Sequence, residues 1–126
     1  MNEMISTESS SRERPMLDWA EEFPGAVTVC NLEGTVLYMN RKVGVTFAKW
    51  GGRELVGKSL MDCHPEPART KLRGLLENGG TNVYTIEKNG VKKLIYQAPW
   101  RVNGELMGLV ELGLEIPAEM PHFVRD

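Results

Sequence analysis

Hydrophobic and polar positions alternate most regularly near the end of the chain. From residue 104 to 116 the even positions 106, 110, 112, 114 and 116 are aliphatic, while Glu105, Glu111 and Glu115 stand among the odd ones. A period of two is the mark of a strand with one buried face, here predicted to be the aliphatic even face. Two further strand-like runs precede it, over residues 82–87 and 91–101, and the second brings Leu94, Tyr96, Ala98 and Trp100 to one side. Asn89-Gly90 joins them and Asn103-Gly104 leads into the last strand; both dipeptides suit two-residue hairpin loops, whose residues take positive φ. A three-stranded meander is therefore expected, ending inside its own sheet with no separate output or catalytic domain behind it.

The first half of the chain reads differently. Pro15 opens a short stretch in which Met16, Trp19, Ala20 and Phe23 fall at helical spacing and which Pro24-Gly25 closes, predicting a flanking helix over residues 15–24. Residues 26–31, with Val27 and Val29 on one face, and residues 36–40 flank Leu32-Glu33-Gly34-Thr35, a bulged hairpin loop. Between residues 41 and 60, Val43, Phe47 and Trp50 are helically spaced, but Gly44, Gly51, Gly52 and Gly57 break the run into short helices. Pro65 and Pro67 suit the first turn of a longer helix with an inward stripe of Ala68, Leu72, Leu75 and Leu76, ending at Asn78-Gly79-Gly80. The order predicts an α+β fold: a five-stranded antiparallel sheet with short helices and one longer helix packed on one face.

Length and composition narrow the picture. With 126 residues the chain suits one core, assigned to residues 15–117, after a polar disordered leader over 1–14 and before a tail over 118–126. Its 15 basic and 17 acidic residues are mixed along the sequence, which predicts no nucleic-acid partner. No apolar run is long enough for a bilayer, no secretory signal is visible, and Cys30 and Cys63 make no disulfide framework. The expected setting is the cytoplasm, with reduced thiols and no membrane contact.

Two segments carry a resemblance. Asn31-Leu32-Glu33-Gly34-Thr35-Val36-Leu37-Tyr38-Met39-Asn40 resembles the first hairpin and terminal Asn of the PAS family of sensory and interaction domains. Glu54-Leu55-Val56-Gly57-Lys58-Ser59-Leu60 is similar to that family's mid-domain helix and turn, and the meander after Asn82 to its last three strands. The resemblance covers roughly residues 17–117. It implies a small-molecule pocket between the sheet and the helices; enzyme activity is not expected because the sequence holds no catalytic set. Two departures limit it. Glu115-Ile116-Pro117 replaces the usual acidic-Ile-Thr exit, so Pro117 stops a continuous signalling helix. The surroundings of Cys63, Met61-Asp62-Cys63-His64-Pro65-Glu66-Pro67, lack the flavin-adduct cysteine motif, so a flavin photoadduct is not expected.

Candidate chemistry concentrates at Cys63-His64, just before the longer helix. Three readings stand: a small buried filler with a loop-capping histidine, a reactive or redox-sensing thiol at Cys63, and His64 as an axial ligand should haem be bound. Adjacent residues of an extended segment point to opposite sides, so one iron would not take both. A zinc site from Cys30, Cys63, His64 and His122 has no ligand spacing to support it, and no metal is assigned. No catalytic set of nucleophile, base and acid appears. The pocket expected from the resemblance would draw on Met39, Phe47, Trp50, Met61, Cys63, His64, Tyr96 and Trp100, the last two offering polar tips to an unnamed ligand.

The leading functional expectation is a sensory domain that binds a small ligand or senses redox state. It would signal through a homodimer, built on the apolar face Met16, Trp19, Ala20 and Phe23, or through a separate signalling protein. A ligand-free interaction module and a haem or thiol sensor centred on His64 or Cys63 are the alternatives.

Overall fold

The computed structural model describes residues 18–126, with Trp50 described in its backbone alone. Two hairpins and a meander strand build the sheet: β1 (Ala26–Asn31), β2 (Val36–Met39), β3 (Asn82–Lys88), β4 (Val91–Val102) and β5 (Glu105–Ile116). Between them lie α1 (Arg41–Thr46), short 3-10 turns at Ala48–Trp50, Gly52–Leu55 and Leu60–Cys63, and α2 (Ala68–Asn78). The strands are antiparallel in the order β2-β1-β5-β4-β3, so the last strand of the sequence is the central one.

Turn chemistry fixes the hairpins. Asn89-Gly90 and Asn103-Gly104 take positive φ at both positions (54° and 79°, 52° and 84°), the primed turns that match strand twist. In the first hairpin the Asn31 side chain accepts from the amides of Glu33 and Thr35 at 3.1 and 2.9 Å, an Asx turn. In α2, Leu72, Leu75 and Leu76 are buried as the stripe predicts, while Ala68 is exposed. The helix ends where Gly79 takes left-handed φ and donates its amide to Leu75 at 2.8 Å.

Register decides which side chains share a face. Cys30 stands opposite Leu109 and Thr28 opposite Glu111 across β1 and β5; Gln97 stands opposite Glu111 and Ile95 opposite Gly113 across β4 and β5. Cys30 and Leu109 belong to the core formed with Val43, Leu72, Leu75 and Leu76, so the helices cover the odd-numbered side of β5. The aliphatic even side, with Val110, Leu112 and Leu114, therefore lies away from the helices together with Val29, Leu94 and Tyr96, and much of it is half-buried or exposed. This corrects the expectation that the even face of β5 is the covered one. Helices that bring their own leucines need small partners and space, which Ala26, Thr28, Cys30 and Gly113 provide; hydrophobic alternation reports two faces without saying which one the helices choose.

A bulge changes the parity of the meander. Trp100 faces Gly108, but Arg101 already faces Leu106, so Met107 is the extra residue of β5. Leu106 thereby parts from Val110 and Leu112 and ends beside Gly79, where a Cβ would meet its methyl at 3.4 Å. At Gly108 the backbones of β5 and β1 approach so closely that a Cβ would collide with the Cys30 carbonyl oxygen and lie 2.9 Å from Asn31 Cα.

The flanking helix expected over residues 15–24 is also corrected for its described part. Residues 19–22 form turns, and the amides of Glu21 and Phe23 reach back only three residues, to Asp18 and Ala20. Asn40, wholly buried, provides the reason. Its Nδ2 donates to the carbonyls of Ala20 at 2.8 Å and Gly25 at 2.9 Å, while its Oδ1 accepts from the amides of Val27 at 3.0 Å and Val43 at 3.2 Å. One side chain thus captures carbonyls a longer helix would have used and caps α1. Glu21 binds the same turn to the hairpin, accepting from Tyr38 Oη at 2.8 Å and pairing with Arg53. Hydrogen bonds from Arg53 first, then Tyr38, hold the Glu21 carboxyl below its usual range. Burial, then the bond to Glu21, pushes Tyr38 up to about 12.

Candidate functional site

The helix side of the sheet is filled at one end and open at the other. Beneath α2, Leu72, Leu75 and Leu76 pack on Cys30 and Leu109. Beneath α1 and the turn after it a cleft of ≈ 210 Å³ remains, with Ala26, Phe47, Ile86, Ile95 and Gly113 as its small and apolar lining. Its polar lining is Thr28 and Glu111 on the sheet, and Lys42, Lys49, Lys88, Lys93 and Glu115 complete the wall. Six-residue α1 contributes Val43 to the core and leaves Lys42 and Thr46 to the cleft.

A hydrogen-bonded chain runs from this cleft across the sheet. Gln97 Nε2 donates to Glu111 Oε1 at 2.7 Å, and Asn82 Nδ2 donates to Gln97 Oε1 at 2.9 Å. His64 joins from the other side, its Nε2 3.9 Å from Glu111 Oε1 and its Nδ1 2.9 Å from the Leu60 carbonyl. A carbonyl only accepts, so Nδ1 carries a proton, and a carboxylate facing Nε2 favours a second one. The Glu111 contact holds His64 above its usual pKa against the opposing effect of burial. Thr28 and Gln97 are buried, and among the described residues no buried side-chain nitrogen or oxygen lacks a hydrogen-bond partner. Gln97 and Glu111 are therefore fixed in place by their partners.

The residues expected at the pocket separate into groups. Phe47 lines the cleft, and on its other side it lines a groove of ≈ 400 Å³ shared with Asp62, Cys63, Pro65 and Arg69. Met39 is buried in the core and Met61 packs against that core, so neither lines the cleft. The Trp50 side chain lies outside the described residues. Tyr96 and Trp100 sit on the far side of the sheet: Tyr96 is 41% exposed opposite Leu112, and Trp100 donates its indole N–H to the Cys30 carbonyl at 3.0 Å. In the cleft the polar groups are instead Thr28 and Glu111, on the face opposite the aliphatic one, with Gln97 behind Glu111. The signal for them was the company of small residues, since Gly113 two places along β5 and Ala26 two places along β1 mark a face with room above it.

Neither Cys63 nor His64 has the environment of a reactive centre. Burial, then the Asp62 charge, raises the Cys63 thiol, and burial raises Cys30. Both remain protonated at neutral pH, the opposite of an activated thiolate. Both ring nitrogens of His64 already have partners, and the cleft is smaller than the 300–1,000 Å³ typical of drug-sized ligands, so these residues do not fit haem. Among the described residues no group of three or more His, Cys, Asp or Glu could hold a metal ion. None of their helices is long and apolar enough to cross a membrane.

Of the residues expected at a dimer contact, Met16 lies outside the described residues. Trp19 is 58% exposed, with its ring edge-on to Phe23 at 5.5 Å. Ala20 and Phe23 are half-buried, and Phe23 borders Leu114 of the aliphatic sheet face around Gly25.

Comparison with known proteins accords with this geometry. A family model described as the PAS fold matches residues 20–119. Among curated proteins none matches. The chain is similar in structure to VqmA of Vibrio cholerae, a LuxR-type receptor solved as a dimer without its target DNA, at a TM-score of 0.61 and 16% identity over 82% of this chain and 51% of that one. It thus spans about half of VqmA. It is also similar to the PAS domain of an HTR-like protein from Haloarcula marismortui (TM-score 0.61, 13% identity, 91% of this chain and 100% of that one). A third similar structure is the Aer2 receptor of Vibrio cholerae, a dual PAS-heme oxygen sensor (TM-score 0.54, 19% identity, 74% and 95%). At these identities the neighbours speak for the fold, and together with the family match over four-fifths of the sequence they lead to one conclusion: the chain belongs to the PAS family of sensory domains.

Proposed function

We propose that this domain, over residues 15–117, is a cytoplasmic sensory module without catalysis of its own that takes a small ligand in the cleft beneath α1. Occupancy passes outward through contacts made by Trp19 and the aliphatic side of the sheet, in a homodimer or with a separate signalling protein. The observation that carries the reading is the cleft itself, where Thr28 and Glu111, the latter held by Gln97, stand side by side and face a short apolar wall. Such a site orients a ligand by hydrogen bonds and senses its bulk through a wall only six residues long. Among neighbours with this fold, VqmA has been solved bound to DPO and Aer2 is a heme oxygen sensor. Here His64 and Cys63 argue against haem and thiol sensing.

Native mass spectrometry of gently purified protein tests the reading. The wild type is expected to carry a small non-covalent adduct and to appear as a dimer. A Cβ at Gly113 would meet Ala26 at 3.4 Å and Ile95 at 3.6 Å, so Gly113→Leu extends into the cleft and should abolish the adduct. Trp19→Glu should abolish the dimer. A wild type that dimerises but carries no adduct and gains none from small-molecule mixtures would point to the ligand-free interaction module instead.

A further inference from the structure

The lining of the cleft runs against the charge of the chain. The protein as a whole has a formal charge of -2, with 17 acidic residues against 15 basic ones. The cleft gathers four lysines, Lys42, Lys49, Lys88 and Lys93, against the two carboxylates Glu111 and Glu115, and Glu115 is 3.5 Å from Lys42. These lysines come from α1, the following 3-10 turn, the end of β3 and the start of β4, so no charge run in the sequence makes the cluster. Convergence of positive charge from four elements on one concave, partly apolar site focuses the field on whatever enters.

The inner end has the opposite character. The contacts of Gln97 and His64 both go to Glu111 Oε1, leaving Oε2 to accept from a donor in the cleft. Thr28, directly opposite across β1 and β5, adds a hydroxyl beside it. Between the two ends the lining is Phe47, Ile86 and Ile95, and the volume is ≈ 210 Å³. That is below the range for drug-sized ligands and suits one ring or a compact aliphatic body.

Resting on the reading of this cleft as a ligand site, we infer that its ligand is a small organic anion. Its carboxylate sits among the lysines, its apolar body lies between Phe47 and Ile95, and a hydrogen-bond donor at its far end meets Glu111 and Thr28. Three probes separate these elements: 4-hydroxybenzoate carries all of them, 4-hydroxybenzamide lacks the charge, and benzoate lacks the donor.

Titration of the full chain with each probe at low salt, followed by amide NMR shifts, tests the inference. For 4-hydroxybenzoate the shifts should cluster at Thr28, Lys42, Phe47 and Ile95, disappear in Gly113→Leu and weaken as salt is raised. Its affinity should exceed that of the amide by about tenfold, the effect of roughly 1.4 kcal/mol. Lys42→Gln with Lys93→Gln should lower it severalfold, and Glu111→Gln should bring 4-hydroxybenzoate down to the level of benzoate. Equal binding of the neutral amide would overturn the anion assignment and leave the cleft as a ligand site. Absence of clustered shifts with all three probes, in a protein whose spectrum is folded, would overturn the inference and the ligand site together.

Discussion

The two sides of the central sheet differ at their middle, where polar residues lie beneath the helices beside the apolar core and aliphatic ones lie on the open side. The side under the helices carries Thr28, Gln97 and Glu111 at its centre; the side away from them carries Val29, Leu94, Val110, Leu112 and Leu114. The interior can hold Gln97 and Glu111 because they are paired with each other, and buried polar atoms cost little once their hydrogen bonds are made. The exterior is apolar without being fully covered: Tyr96 is 41% and Val83 47% exposed. An apolar sheet face of this kind is what a contact with another protein buries, while paired polar groups beside a cavity give a ligand site its selectivity. Hydrophobic alternation thus identifies the aliphatic side of the sheet and leaves the polar lining of the cleft among the residues it passes over.

The comparison can be broken most severely at Gly108, where the strands approach and the bulge resets the faces. Gly108→Ala should destabilise the domain by about 4 kcal/mol, since the colliding atoms are backbone and cannot swing aside; chemical denaturation would measure it. Asn40→Ala comes next, at about 3 kcal/mol, because it strands the carbonyls of Ala20 and Gly25 and the amides of Val27 and Val43. The same denaturation series should show the N-terminal turn loosening with it.

A paired test compares the faces directly. Gln97→Leu removes the link between Asn82 and Glu111 and should cost about 2 kcal/mol despite adding an apolar group. Leu112→Thr, on the aliphatic side, should cost about 1 kcal/mol in the monomer. The reverse order would mean that the polar chain is dispensable and the aliphatic side is the true interior. The smallest effect is pH-dependent. With its pKa raised in the folded state, His64 contributes stability that is full below its unfolded value of 6.5 and is lost as pH rises through the folded value. Thermal melts should therefore show His64→Gln losing more, relative to wild type, at pH 5.5 than at pH 8.5.

Local signals made much of the fold legible. Asn89-Gly90 and Asn103-Gly104 state their turns outright, and the leucine stripe of α2 needs only its own eleven residues. The strands and their antiparallel arrangement follow from such pieces. The flanking helix over 15–24 rests on equally local spacing, yet Asn40, twenty residues beyond Ala20, turns its described part into a series of turns. Face assignment was hidden for a similar reason. The one-residue bulge at Met107 has no composition of its own, and the choice of side was made by small residues on a neighbouring strand. At the site, Phe47 was legible as an aromatic near a glycine-broken wall. Glu111 was not, because an acidic residue in an alternating strand looks solvated until its partners from β4 and the Leu60–Cys63 turn are known.

Side-chain nuclear Overhauser contacts across the sheet test the central claim most directly. The account predicts contacts from the Leu72 and Leu75 methyls to Leu109, and from the His64 ring to Glu111, with none from α2 to Leu112 or Leu114. Contacts from α2 to Leu112 or Leu114 would put the helices on the aliphatic side and contradict it.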